Sequence, residues 1–576
     1  MKKQLLQTVF LLVFGFIVST AVHGQNRLLI PDTLSGTNFN LNLQNGQYQF
    51  YSGVNTATMG ANGNILGPTL VMKKGDFVDI KVKNQLGDTT TIHWHGMHVS
   101  AANDGGPHTT IAPGAVWNPK FTVMDKAATY WYHPHLHTHT NEQVSKGIAG
   151  IIIVRDREEA ALDLPRTYGV DDFPLVIQTK DFDNNKQIVV PSNSDDVAMV
   201  NATIDAYLDV PQQVVRFRLL NGSSQRVFNV GLSGNRTFYQ IASDGGLLSE
   251  PLSLTRLQLA PGERAEILID FSGLQGQAIQ LKSYASEFPN GIYGATNPGM
   301  NSSMVLNGYK PNPLNGTDFD LMSFRVGATG IHPVTTIPAT LVKVSPIPES
   351  DATVTRDLTF SPQTRGMNQL NGKFLINDVS FDMNVINYTI KLNNVEIWTL
   401  QNNSAIAHPF HIHDVQFYIL DRDGNPPPAS EQGRKDVVLV KPQETVRFIT
   451  VFDDFADDTV PYMYHCHMLT HEDQGMMGQF KVVSQVTDVE SHFEEDAALS
   501  LFPNPVQGDF LTVKTANPGE TILSYALYSL TGEILQQQNS SQRGQLKLNI
   551  SKIPAGLYFV IIRTTAGQTV KKIVVN

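Results

Sequence analysis

One cysteine occurs in 576 residues. Cys466 therefore has no partner for a disulfide within the chain, and a lone thiol in an exported protein points to chemistry instead of stapling. Long apolar runs are also scarce. The one at Val9–Val18 follows Lys2 and Lys3 and precedes Val22-His23-Gly24. This pattern predicts a secretory signal peptide over residues 1–24, too short to span a bilayer, and a mature chain from Gln25. No later run is long enough to cross a membrane, so the expected product is exported, soluble and without a membrane span. Charge of one sign is not concentrated either: the net charge is −11, with acidic and basic residues interspersed. That leaves no footprint for nucleic acid or anionic membranes.

Sustained helical periodicity is rare as well. Short alternating runs, such as Val78, Ile80 and Val82 between Asp79, Lys81 and Lys83, are punctuated by Gly, Pro, Asn and Asp. They read as half-buried strands of an all-β chain built from sandwiches or barrels. Similar strand openings at Pro113-Gly114, Pro261-Gly262 and Pro442-Gln443 suggest three related units. We place them at residues 25–165, 166–335 and 336–484. An acidic linker at 485–497 and a small C-terminal β-sandwich at 498–576 follow. The segment YWYHPHLHTH, Tyr130–His139, aligns with YMYHCHMLTH, Tyr462–His471, so that Pro134 stands where Cys466 stands. The stretch from Arg166 to Val326 has no histidine and reads as a spacer.

Histidines cluster where the outer units match. Leaving aside the overlapping His137 and His139, four His-x-His pairs occur, His93/His95, His133/His135, His411/His413 and His465/His467. On a strand each pair puts two imidazoles on one face. Eight imidazoles are enough for three metals and too many for one. Imidazole alone does not name the metal. Cys466 does: it lies between His465 and His467 but points to the opposite face, and thiolate, imidazole and thioether form the ligand set of a blue copper electron-transfer centre.

The motifs HWHG (His93–Gly96), HPHLH (His133–His137), HPFHIH (His408–His413) and HCHMLTHEDQGMM (His465–Met477) resemble those of the multicopper oxidases, the laccase-like family. Copper-efflux oxidases, spore-coat laccases and bilirubin oxidases look nearest. The resemblance implies three consecutive cupredoxin-like Greek-key domains and four coppers. It places the type 1 copper on His408, Cys466 and His471, with Met476 as axial ligand and Met477 as the weaker candidate. It places the type 2 copper on His93 and His411, and the type 3 pair on His95, His133, His135, His413, His465 and His467. Glu472 and Asp104 are implied as proton-relaying carboxylates, with Asp414 as a supporting neighbour. His137 and His139 fall outside the pattern, as neighbours of the cluster or its solvent path, and His98 and His108 as surface residues. The last 80 residues or so, with LFPNPVQGDF from Leu501 and a Lys-Lys-Ile-Val-Val end, resemble a C-terminal sorting domain of type IX secretion. That implies the secretion machinery as a partner and a secreted or cell-surface product.

The expected function is transfer of single electrons from a small reductant to O2. A nitrite reductase would need no type 3 pair, and a copper-free relative would have lost ligands. A cuprous or metal-ion oxidase, or a periplasmic copper buffer, remain alternatives. Between Val342 and Val395 only Met367 and Met383 occur, too few for a methionine-rich segment that gathers cuprous ion. We therefore expect phenolic, aromatic or bilirubin-like donors, reaching an open imidazole edge of His471.

Overall fold

The computed structural model describes residues 26–304, 306–364, 369–484, 499–529, 534–566 and 568–576. The expected signal peptide and acidic linker, and Met367, lie outside them. Alternation in the sequence becomes alternation in burial: Phe77–Gln85 points Val78, Ile80 and Val82 into a core and leaves Lys81 and Lys83 exposed. The chain is nearly all β and divides into two compact units, residues 1–486 and 487–576.

Within the first unit, strands from 33 to 155 form two sheets, of five strands and of four with a fifth side pairing. Strands from 172 to 326, with Asn26–Arg27 added to one of the sheets, form two six-stranded sheets, and strands from 354 to 483 two of five. Each pair of sheets encloses its own apolar core. Asn26–Arg27 pairs with Ala206–Val210, so the first described residues extend a middle sheet. The second unit is a three-stranded and a four-stranded sheet around Leu511, Val513, Val560 and Ile562.

The strands that carry the histidines sit side by side in register. His93–His95 pairs with Ala128–His133, with His93 opposite His133. His408–Ile412 pairs with Tyr462–Cys466, with His411 opposite His465 and Phe410 opposite Cys466. Facing residues share a side of the sheet. Imidazoles thus gather on one face, while Cys466 joins Phe410, Phe374, Ile406, Met468 and Met476 in the third core.

The candidate copper centres

Two tyrosines seat the histidine strands. Tyr132 lies opposite Gly150, where a Cβ would come within 2.2 Å of the phenol ring, and its hydroxyl donates to the Pro68 carbonyl at 2.9 Å. Tyr464 lies opposite Gly478, where a Cβ would come within 2.2 Å of the phenol oxygen. Only glycine permits this approach, and the ring fixes the height of the histidine that follows.

The imidazoles form three groups whose candidate ligand atoms lie within 4.8 Å of one another: His93, His411 and His413; His95, His133 and His467; His135, His413 and His465. All eight residues are buried. Rings from the first and third sandwiches stack, His93 on His413 and His95 on His411, both at 3.8 Å between centroids. The nitrogens facing away from the cluster are held. Nδ1 of His93 is 3.0 Å from the Asp104 carbonyl, and Nδ1 of His411 is 2.8 Å from that of Asp436. Nδ1 of His413 donates to the Asp104 carboxylate at 2.7 Å, and Nε2 of His95 lies 3.1 Å from Asp436 Oδ1. Such contacts select the tautomer and leave the other nitrogen as a lone pair aimed inward.

Those inward nitrogens are unmet. Nε2 of His93, His411 and His413 and both ring nitrogens of His467 are buried without a hydrogen-bond partner among the described residues. Burial, then the neighbouring imidazoles, lowers His95, His133 and His411 well below the ordinary histidine range, and lowers His413 and His467 to about 3. Neutral, buried, unpartnered imidazoles are costly unless a cation is shared among them. The donor set fits copper.

On the other face, Cys466 Sγ lies 3.5 Å from Nδ1 of both His408 and His471. Burial pushes its thiol well above the ordinary range, so a thiolate here requires a bound metal. Met476 is fully buried in the same core, and its carbonyl accepts from the Cys466 N–H at 3.0 Å. His408 Nε2 meets the Ser404 hydroxyl at 2.8 Å, and His471 Nε2 meets the Leu370 carbonyl at 2.8 Å. The sequence reading expected an open His471 edge. Instead the imidazole is fully buried, because residues around Leu370 and Phe374 cover it even without a methionine-rich segment.

Glu472 is buried with one oxygen 3.4 Å from His135 Nδ1 and the other 3.3 Å from His465 Nδ1. Burial would raise it, but the two imidazoles outweigh burial and hold it well below the usual carboxylate range. Asp104 ends the short helix Ala101–Asp104 and is held low in the same way by His413 and His93. Asp414 contacts His98 Nδ1 at 3.0 Å. That corrects the expectation for His98, which is half-buried and ion-paired because the first and third sandwiches close over it. His108 is exposed and bonds Gln479 at 2.7 Å. His137 is half-buried against Phe381, and His139 is exposed near Glu142.

Sequence reasoning missed what the middle sandwich supplies. Arg264 grips both oxygens of Asp436 at 2.5 Å, and Asp436 orients His95 and His411. Gly262 lies under His467, where a Cβ would be 3.0 Å from the ring. The spacer reading is therefore incomplete. The Pro261-Gly262 turn was visible as a repeat opening, but nothing local tied it to a histidine 205 positions later.

Residues 42–159 and 350–486 match the multicopper oxidase family, and residues 500–576 match the secretion system C-terminal sorting domain. A multicopper oxidase of Staphylococcus haemolyticus is 35% identical over 80% of this chain and 93% of its own length. A cell division protein FtsP of Proteus mirabilis is 29% identical over 84% of this chain and 98% of its own. A laccase-like multi-copper oxidase from Ochrobactrum sp., with oxidase activity towards lignin model compounds and lignosulfonate, superposes with a TM-score of 0.70. It shares 34% identity, over 79% of this chain and all of that one. A Campylobacter jejuni multicopper oxidase described as a metallo-oxidase has a TM-score of 0.67 and 28% identity, over 80% of this chain and 96% of that one. With buried imidazole clusters backed by a cysteine strand and this likeness along three domains, the chain belongs to the multicopper oxidase family, a copper-dependent oxidoreductase with cupredoxin architecture and a C-terminal sorting domain.

Proposed function

We propose that this protein oxidises small phenolic or aromatic donors and passes their electrons to O2, as an exported four-copper enzyme. The observation that carries the reading is the strand Tyr462–Cys466, which joins a thiolate site on one face to two cluster imidazoles on the other through adjacent residues. His408, Cys466 and His471, with Met476, would hold the type 1 copper. His93 and His411 would hold the type 2 copper. His95, His133 and His467, and His135, His413 and His465, would hold the two type 3 coppers. When bound, copper supplies one-electron uptake at the thiolate site and four-electron delivery to O2 at the cluster. Four donors each lose one electron, a phenol also losing a proton, and one O2 with four protons becomes two waters.

The chain's own residues handle the protons. Glu472 faces His135 and His465 from one side, and Asp104 faces His93 and His413 from the other. Each carboxylate stands where it could pass a proton to the oxygen being reduced. Domain limits at 25–165, 166–335 and 336–484, a linker at 485–497 and a sorting module from 498 belong to this reading. Export through type IX secretion to the cell surface or medium belongs to it too.

The aromatic donor class is supported by the scarcity of methionine between Val342 and Val395, where only Met367 and Met383 occur, and by the lignin-model activity of the Ochrobactrum relative. The buried His471 favours a second reading, in which small ions are oxidised, as the name of the Campylobacter relative suggests for that protein. The test is a comparison of kcat/KM for a methoxyphenol, bilirubin and a chelated cuprous donor on one copper-loaded preparation. A cuprous donor preferred by more than about tenfold, roughly 1.4 kcal/mol in transition-state terms, would replace the aromatic reading with metal-ion oxidation.

A further inference from the structure

We infer that residues 369–374 form a fixed cap over the electron-entry histidine, and that Asn371, anchored to the middle sandwich, sets which donors the enzyme accepts. The inference rests on the copper reading of His408, Cys466 and His471. It concerns what lies outside them.

The Leu370 carbonyl takes up the outward nitrogen of His471 at 2.8 Å, and Leu370 itself is fully buried. The Phe374 ring lies 4.6 Å from that of His471 and 4.7 Å from that of His408, closing the remaining approach. Neither element holds itself in place. Asn371 sits between them, and its side-chain amide donates to the Ser192 carbonyl at 2.8 Å and to Asn193 Oδ1 at 2.6 Å. Both acceptors belong to the middle sandwich, about 180 residues away in sequence. The Asn371 carbonyl accepts from Gln474 Nε2 at 3.0 Å, on the turn between His471 and Met476. A bridge from Gln369 to Asn307 pins the leading end. The cap is thus tied to two sandwiches at once, by short bonds that an unanchored loop would not keep.

Two consequences follow for donors. A ring large enough to need contact with the imidazole edge finds a backbone carbonyl there, so its electron must cross the Leu370 peptide. Electron transfer weakens steeply with separation, and the penalty falls on donors too bulky to approach the cap closely. The outward residues of the cap, Gln369, Asn371 and Lys373, are half-buried and polar. A small or charged outer-sphere donor can dock on them without entering. Asn371 is a positioning residue, acting on His471 through Leu370. Substrate breadth becomes a property of the contact between the middle and third sandwiches.

The test uses the full chain, with Asn371→Ala and, from the other side of the anchor, Asn193→Ala. In copper-free protein, hydrogen exchange of the 369–376 amides is measured. In copper-loaded protein held without O2, the blue colour is bleached in stopped flow by a dimeric lignin-type phenol and, separately, by ferrocyanide. We expect exchange at 369–376 to speed at least tenfold in both variants. The bleaching rate constant for the phenol should rise at least tenfold, while that for ferrocyanide changes less than threefold. Unchanged exchange, or a change shared equally by both donors, would overturn the cap. Wild-type protein that takes up copper without becoming blue would instead sink the functional reading, and the exchange result alone would then decide whether the anchor exists.

Discussion

The hairpins around His133 and His465 share a backbone pattern and differ at the residue between the paired histidines, Pro134 in one and Cys466 in the other. In both, a tyrosine packs over a glycine of the neighbouring strand, Tyr132 over Gly150 and Tyr464 over Gly478. In both, the first histidine turns its Nδ1 to the carbonyl of the residue between the pair, His133 to Pro134 at 2.8 Å and His465 to Cys466 at 3.1 Å. That backbone bond orients the ring, and proline supplies it as well as cysteine does. What cysteine adds is a thiol on the opposite face. Beyond His135 and His467 the hairpins part. Thr138 takes a positive φ of 71° and turns His139 to solvent, whereas Thr470 lies in the helix Leu469–Asp473 and carries His471 into the core beside Cys466. A second metal site therefore needs two changes, a thiol and a turn that delivers its imidazole partner.

Breaking the shared half of the comparison should have the largest effect. Replacing His465 with Ala removes a nitrogen from the group it forms with His135 and His413. O2-coupled turnover should fall to background while the blue colour persists, since Cys466, His408 and His471 are untouched. A variant that keeps turnover would remove His465 from the cluster. Glu472, which faces one histidine from each hairpin, comes next. Glu472→Gln should lower kcat by about 10²–10⁴-fold with copper content unchanged, the usual range for a lost proton relay. A loss of copper in place of rate would recast Glu472 as a structural support.

The smaller effects lie in the joints between the hairpins. Asp473 accepts the N–H groups of Thr140 and Asn141 at 2.8 and 3.0 Å, capping from the third sandwich the helix that follows the first sandwich's hairpin. Asp473→Ala should cost about 1–2 kcal/mol of stability, read as a lower denaturation midpoint, with colour retained. His98 gives a pH signature. Burial alone would lower it, but the carboxylates of Asp414 and Asp125 outweigh burial and raise it to about 10. A raised folded value means that its stabilisation is complete below about 6.5 and is lost as pH climbs toward 10. The stability difference between wild type and His98→Gln, about 1.5–3 kcal/mol near pH 6.5, should therefore shrink through that window. A constant difference would show that the pair does not titrate there.

What could be read from sequence was whatever a period of two makes local. Strand alternation gave the all-β class, and the same alternation put His465 and His467 on one face and Cys466 on the other. The contacts that tune the site are not periodic. Arg264 reaches Asp436 across 172 positions, Gly262 lies under His467, and Leu370 meets His471 across 101. Each is a single ordinary residue whose role exists only once sandwiches pack. The expectation of an open His471 failed for that reason: the missing methionine-rich segment was visible, but the covering residues, tied to Ser192 and Asn193, were not.

The most direct test of the claim that Cys466 gives the second hairpin its own metal site is metal analysis with visible absorption on Cys466→Ser beside wild type. Wild type should hold four coppers per chain and be intensely blue. Cys466→Ser should hold three, be colourless and fail to turn over donors, because the eight cluster imidazoles remain while the thiolate site is gone. A blue Cys466→Ser protein, or one that loses all its copper, would contradict the account.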